Sequence, residues 1–288
     1  MFRKTLKLLP IFILALSLLV SCNNGGGETP GGDPGTGDPV KKDPVVTEQA
    51  ETLDVKKAFV AVDDGPLPYR IYVPADYSTE YAYPVLVFLH GAGERGDDNE
   101  KQLKNVVQTL FDDPSSPIYQ CIVIAPQCPE ENQWVDTPWG EGSYNMDRVE
   151  ESNELQSVMA ILDTVKGTYS VNDQRIYAMG LSMGGFGTWD LLLRHGEVFA
   201  AAIPICGGGD PQYADFLVNK PIHTFHGDID VTVPVSATRE MVEALEEFGS
   251  TSITYEELEG YGHNVWDYAA EKEGLMDWLF AQQLAKES

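Results

Sequence analysis

From residue 58 onward the apolar positions fall in short, almost unbroken runs: "AFVAV", "YRIYVP", "PVLVFLH", "CIVIAP", "RIYAMGL", "FAAAIPI", "PIHTFHG" and "SITYEEL". Runs of this length with little internal alternation are the mark of strands buried on both faces. Between the later ones the period lengthens. Leu155, Val158, Met159, Leu162 and Val165 share one face at helical spacing, and similar patterns run through 100–111, 184–195, 236–248 and 267–284. About eight strands alternating with helices predict an α/β architecture, a mostly parallel sheet with helices on both faces. The first two strands have no helix between them and are expected to form an antiparallel edge. No internal repeat is present.

The chain opens differently. "MFRKTLKLLPIFILALSLLVSCNN" places three basic residues before an apolar run from Leu8 to Val20, the pattern of an export leader and short for a membrane span. Leu19, Val20, Ser21 and Cys22 resemble a bacterial lipobox, so residues 1–22 are expected to be a lipoprotein signal peptide with Cys22 lipidated. That predicts an exported protein of the bacterial cell envelope, at the outer membrane or cell surface, held by lipid alone. Residues 23–51, rich in Gly, Pro, Asp and Thr, cannot build a core and read as a flexible linker with a reach of about 30 Å. Residues 52–288 are then expected to form one large domain with a sizeable core.

The formal charge of −26 becomes three units more negative once Arg3, Lys4 and Lys7 leave with the leader. Such a surface repels nucleic acid and anionic headgroups, and it favours neutral or cationic substrates. With Cys22 committed to lipid, Cys121, Cys128 and Cys206 remain. Cys121 begins an apolar run and is expected to be a buried thiol. Cys128 and Cys206 lie just beyond strand ends, where a disulfide between them is possible in an oxidising compartment. None has the paired spacing of a zinc site, and no metal or organic cofactor is expected.

In sheets of this type ligands sit beyond the carboxyl ends of the strands. The residues following three successive late strands are Ser182, the acids Asp228 and Asp230, and His263. Gly180, Ser182 and Gly184 form G-x-S-x-G, a sharp strand-to-helix turn that lifts a serine hydroxyl clear of the backbone. A serine nucleophile needs a base, and the base needs a carboxylate to fix its tautomer. Of the five histidines only His263 follows both acids; Asp230, four residues before Pro234, is expected to be the acid partner and Asp228 to brace the turn. Stabilising a developing oxyanion requires two amides, assigned to Met183 and, in the Gly-rich segment "HGAGERG", to Ala92. His90 then holds that loop; Glu94 and Arg95 either contact substrate or, as expected, form a local ion pair that secures the loop.

"LHGAGERG", "APQCP", "GLSMGGFGTW", "PICGGGDP", "HGDIDVTVP" and "GYGHNVWD" together resemble the α/β-hydrolase group that contains feruloyl and related carbohydrate esterases and prolyl oligopeptidase-like predicted peptidases. The resemblance spans roughly residues 55–285. It implies the α/β-hydrolase fold, a Ser182–His263–Asp230 triad and a serine ester hydrolase acting on feruloyl or acetyl esters of plant cell-wall polysaccharide. A serine peptidase is the alternative, although peptidase relatives usually carry a propeller for which this chain has no room. A glycan-binding lipoprotein without catalysis is a minor one. In the long connection 126–146, Trp134, Trp139 and Tyr144, joined by Trp266 and Tyr268, either stack on a phenolic or sugar ring or simply anchor the loop. Trp134, Trp139 and Trp266 are the expected substrate contacts.

Overall fold

The computed structural model describes residues 41–45 and 51–285. Cys22, the leader and the greater part of the expected linker lie outside the described residues. Among the described residues no helix is long and apolar enough to cross a membrane.

All eight apolar runs are strands: β1 (Val60–Val62), β2 (Tyr69–Tyr72), β3 (Tyr83–Leu89), β4 (Ile122–Pro126), β5 (Val171–Leu181), β6 (Ala201–Ile205), β7 (Ile222–Gly227) and β8 (Ile253–Leu258). They form one sheet in the order β1-β2-β4-β3-β5-β6-β7-β8. β1 and β2 make the antiparallel edge; from β4 to β8 every neighbouring pair is parallel. The alternation of side chains along β3 divides the core. Val85, Val87 and Leu89 face one cluster, while Leu86 and Phe88 face the other.

The first cluster is closed by α3 (Asn153–Thr168), α4 (Met183–His195) and α5 (Ser236–Glu247), and the second by α1 (Val55–Ala58), α2 (Val106–Leu110), α6 (Trp266–Ala270) and α7 (Leu275–Ala281). α3 starts at Ser152, whose Oγ accepts from the Leu155 amide at 3.1 Å and donates to the Trp134 carbonyl at 2.6 Å. Two predicted helices are shorter than their patterns. The segment 100–111 contains a single tight turn over 101–103 followed by α2, and the apolar pattern over 267–284 splits into α6 and α7. The break falls at Gly274, whose φ of +76° is a left-handed conformation that glycine adopts without penalty.

Residues 41–45, expected to belong to the linker, lie along this body. Lys42 bridges to Tyr81, the Ala82 amide donates to the Lys42 carbonyl at 3.0 Å, and Lys41 Nζ donates to Ser170 Oγ at 2.9 Å.

Candidate active site

β5 ends at Leu181, and the chain reverses at Ser182 with φ 54° and ψ −117° before entering α4. A non-glycine residue in this region is strained, and the strain is tolerated because the surroundings fix the turn. The Ser182 amide donates to the Ile205 carbonyl at 2.8 Å. An added Cβ at Gly184 would lie 2.0 Å from the Leu89 carbonyl oxygen, and one at Gly180 would lie 2.3 Å from that of Gly184. The glycines therefore let α4 abut the end of β3, which brings the serine next to the loop that follows β3.

Three loops converge here. Ser182 Oγ lies 2.7 Å from His263 Nε2, and His263 Nδ1 lies 2.6 Å from Asp230 Oδ2. Asp230 Oδ1 accepts from the amides of Thr232 and Val233 at 2.8 and 3.0 Å. A second imidazole, that of the fully buried His226, places Nε2 3.3 Å from the same Oδ2. Burial alone would raise the Asp230 pKa, but the two histidines and two amides outweigh it and hold the carboxyl well below the usual range. Asp228 accepts instead from the Gly260 amide at 2.7 Å, tying the loop after β7 to the one after β8.

The Ala92 amide opens a tight turn after β3 and the Met183 amide opens α4; neither has an acceptor among the described residues. His90 is 1% exposed, with Nδ1–H donating to the Gly91 carbonyl at 2.6 Å and Nε2 accepting from the Cys128 amide at 2.9 Å. Burial pushes its pKa down to about 4, so the ring is neutral and braces the loop.

Ser182 and His263 open into a cleft of about 280 Å³, near the lower end of small-ligand sites. Trp139 and Trp266 line it together with Thr232, Leu181, Asn105 and Glu94. Trp266 meets the His263 ring edge-on, with centroids 5.4 Å apart. Trp134 is not part of this wall. It is wholly buried, and its Nε1–H donates to the His90 carbonyl at 2.9 Å, so its bulk holds the long connection to the loop after β3. Tyr144 is likewise buried and donates to Asp190 at 2.5 Å, and Tyr268 does not line the cleft.

One further expectation is corrected, and the open question of a disulfide is answered. Glu94 and Arg95 do not pair: Arg95 donates to the carbonyls of Ala92 and Asn132 and lies 6.0 Å from the Trp139 ring, while Glu94 accepts from Asn105. Cys121, Cys128 and Cys206 are buried free thiols, and no disulfide joins Cys128 to Cys206. Burial pushes the Cys128 thiol up to about 12 and the other two higher. Cys206, Asp230 and His263 place potential ligand atoms within 4.8 Å of one another. The carboxylate and imidazole of this group bond to each other, and burial raises the pKa of the Cys206 thiol.

The sequence assigns no role to Thr232 or Asn105, and it sets His226 aside as the base because it precedes Asp230. His226 and Thr232 sit inside the quoted "HGDIDVTVP" motif, whereas nothing local distinguishes Asn105.

Residues 64–248 match the family described as "Putative esterase". Among solved structures, the chain is similar to a thermostable esterase, with 34% identity and a TM-score of 0.68 over 80% of this chain and 64% of that one. Among curated proteins, it is 27% identical to poly(3-hydroxyalkanoate) depolymerase C of Paucimonas lemoignei over 40% of this chain and 36% of the relative. It is 26% identical to a bifunctional acetylxylan esterase/xylanase of Neocallimastix patriciarum over 54% of this chain and 20% of the relative. The chain thus spans less than two thirds of each of these three. The chain belongs to this esterase family, and its fold is that of the α/β-hydrolases.

Proposed function

From that membership we propose that the protein is a serine hydrolase of carboxylic esters, and that its substrates are acetyl or feruloyl esters on neutral carbohydrate. The observation that carries the reading is the hydrogen-bonded series Ser182–His263–Asp230 opening into a cleft with two indoles in its wall. Ser182 Oγ attacks the ester carbonyl carbon as His263 Nε2 takes its proton. Asp230 holds the imidazole with Nδ1–H directed at the carboxylate and Nε2 free to accept, and it stabilises the charge that develops. The amides of Ala92 and Met183 receive the tetrahedral oxyanion. The carbon–oxygen bond to the alcohol then breaks, and the alcohol departs with the proton from His263. Water, deprotonated by the same imidazole, attacks the acyl-enzyme and releases the acid.

The indoles of Trp139 and Trp266 suit a sugar or phenolic ring, and stacking on each contributes roughly 0.5–1.5 kcal/mol beyond area burial. The strongly acidic surface favours a neutral polymer over an anionic one. The acetylxylan esterase among its relatives supports acetylated polysaccharide; the polyester depolymerase shares only the ester bond. We also propose that the enzyme is exported and lipid-anchored through Cys22, so that Cys22→Ala releases it from membranes or leaves it unprocessed.

The test is a panel of acetylated and feruloylated oligosaccharides, a hydroxyalkanoate oligomer and proline-containing peptides, with Ser182→Ala as the control. Preferred turnover of the oligosaccharide esters is expected. Preference for peptides, or indifference among the esters, would remove the carbohydrate assignment.

A further inference from the structure

Glu94 is the one carboxylate among the residues that line the cleft beside Ser182 and His263. Its surroundings are unusual for an acid near an ester-cleaving centre. Oε1 accepts from Asn105 Nδ2 at 2.9 Å. Oε2 stands over Gly91, 3.1 Å from the point a Cβ there would occupy; the amides of Gly91 and Glu94 approach the carboxylate, and among the described residues no side chain other than Asn105 donates to it. The neighbouring Arg95 is turned toward the Ala92 and Asn132 carbonyls, and among the described residues no cation comes within ion-pair distance of Glu94. A half-buried carboxylate with one oxygen held by a side chain and the other met only by nearby backbone keeps lone pairs for a further donor.

The anchor is itself under strain. Asn105 has φ 57° and ψ −119°, within a few degrees of the conformation of Ser182, and it is exposed, so its own burial offers nothing in return. Two non-glycine residues in one strained region facing one cleft indicate that the fold fixes both side chains where the substrate lies.

We propose that Glu94, held by Asn105, reads the substrate: its Oε2 accepts a hydrogen bond from a hydroxyl beside the scissile ester, and its charge turns away esters bearing a carboxylate of their own. The proposal rests on the ester-hydrolase reading and narrows it to polyol esters with free neighbouring hydroxyls.

The experiment compares kcat/KM for a mono-O-acetyl methyl xyloside with that for its fully acetylated form, which has the same ring and ester but no donor. In the wild type the monoacetate is favoured. In Glu94→Gln the ratio falls about tenfold, as expected for loss of a charged acceptor, with KM carrying most of the change. Asn105→Gly lowers the ratio in the same direction while its Tm stays at or above that of the wild type, because glycine accepts the backbone conformation. The ratio of 4-nitrophenyl hemisuccinate to 4-nitrophenyl butyrate turnover rises in Glu94→Gln. An unchanged monoacetate ratio, or an equal fall on both xylosides together with a lowered Tm, would overturn the proposal and reduce the pair to a loop brace. Should the wild type cleave 4-nitrophenyl esters but neither xyloside, the carbohydrate reading falls with the hydroxyl contact, and the hemisuccinate ratio still decides whether Glu94 sets selectivity.

Discussion

Nε2 of His226, a side chain with no solvent contact, stands 3.3 Å from Oδ2 of Asp230, the same oxygen that meets His263. The inner imidazole is fixed in turn: Nδ1 lies 2.7 Å from Thr238 Oγ1, and Nε2 lies 3.1 Å from the Val233 carbonyl. Asp230 is thus clamped from both sides, and its orientation toward His263 depends on a residue that never touches substrate.

His226→Leu is therefore expected to lower kcat/KM at least tenfold and to cost about 2–4 kcal/mol of stability, the range for breaking a buried polar network. His226→Gln, whose amide nitrogen can stand where Nε2 stands, is expected to recover most of both. Ester kinetics and urea unfolding on the two variants check this; equal losses in both would show that an amide donor does not replace the imidazole, and no loss in either would show that the site needs only the volume.

Strain at Ser182 separates activity from stability. Ser182→Ala should abolish turnover, by about 10⁴-fold or more, with the fold intact. Ser182→Gly should be just as inactive and yet melt higher than Ser182→Ala, because relief of about 1–3 kcal/mol of backbone strain exceeds the roughly 0.5–1 kcal/mol entropic disadvantage of glycine. Thermal melts of the two variants decide the point.

His90 predicts a pH dependence of stability. Its folded pKa, about 4, lies below the ordinary 6.5, so between these values the unfolded chain binds a proton that the folded one refuses. Stability from this residue is complete above about pH 6.5 and is lost as pH falls toward 4, at most about 1.4 kcal/mol per pH unit. Urea unfolding at pH 7 and pH 5 should show the decline. His90→Asn should be less stable at pH 7 but show a shallower decline.

The two tryptophans of the long connection should separate cleanly. Trp134→Phe leaves the buried His90 carbonyl without its donor and should cost about 1–3 kcal/mol of stability. Trp139→Ala should leave the melting temperature nearly unchanged and raise KM for feruloylated or acetylated oligosaccharides about three- to tenfold. Comparing Tm with KM in both variants tests the division.

The strands were legible because buried parallel strands need apolar side chains on both faces, which writes an unbroken run into the chain, as in "PVLVFLH". The positions of Ser182, Asp230 and His263 were legible because each immediately follows such a run. What the sequence could not separate was Trp134 from Trp139, five residues apart in one loop of similar composition. Their fates are set by contacts with His90 on one side and with the cleft on the other. Helix lengths beyond α5 were overread because the apolar spacing continues past Gly274, whose left-handed turn changes the direction of the chain without changing the pattern. The Glu94–Arg95 pair was misjudged for a related reason: adjacency in sequence made an ion pair plausible, but the turn after β3 sends the two side chains to different partners.

The contact between Ser182 and His263 joins residues 81 positions apart, and His263 follows β8, the outermost strand on its side of the sheet. A chain released from denaturant can form β5, the serine turn and α4, which follow one another in sequence, and still lack its base. Hydrolysis is then a clock for the last docking event: in refolding experiments activity should return with the slowest phase, after most helical signal has already recovered, because contacts of such wide sequence separation close late.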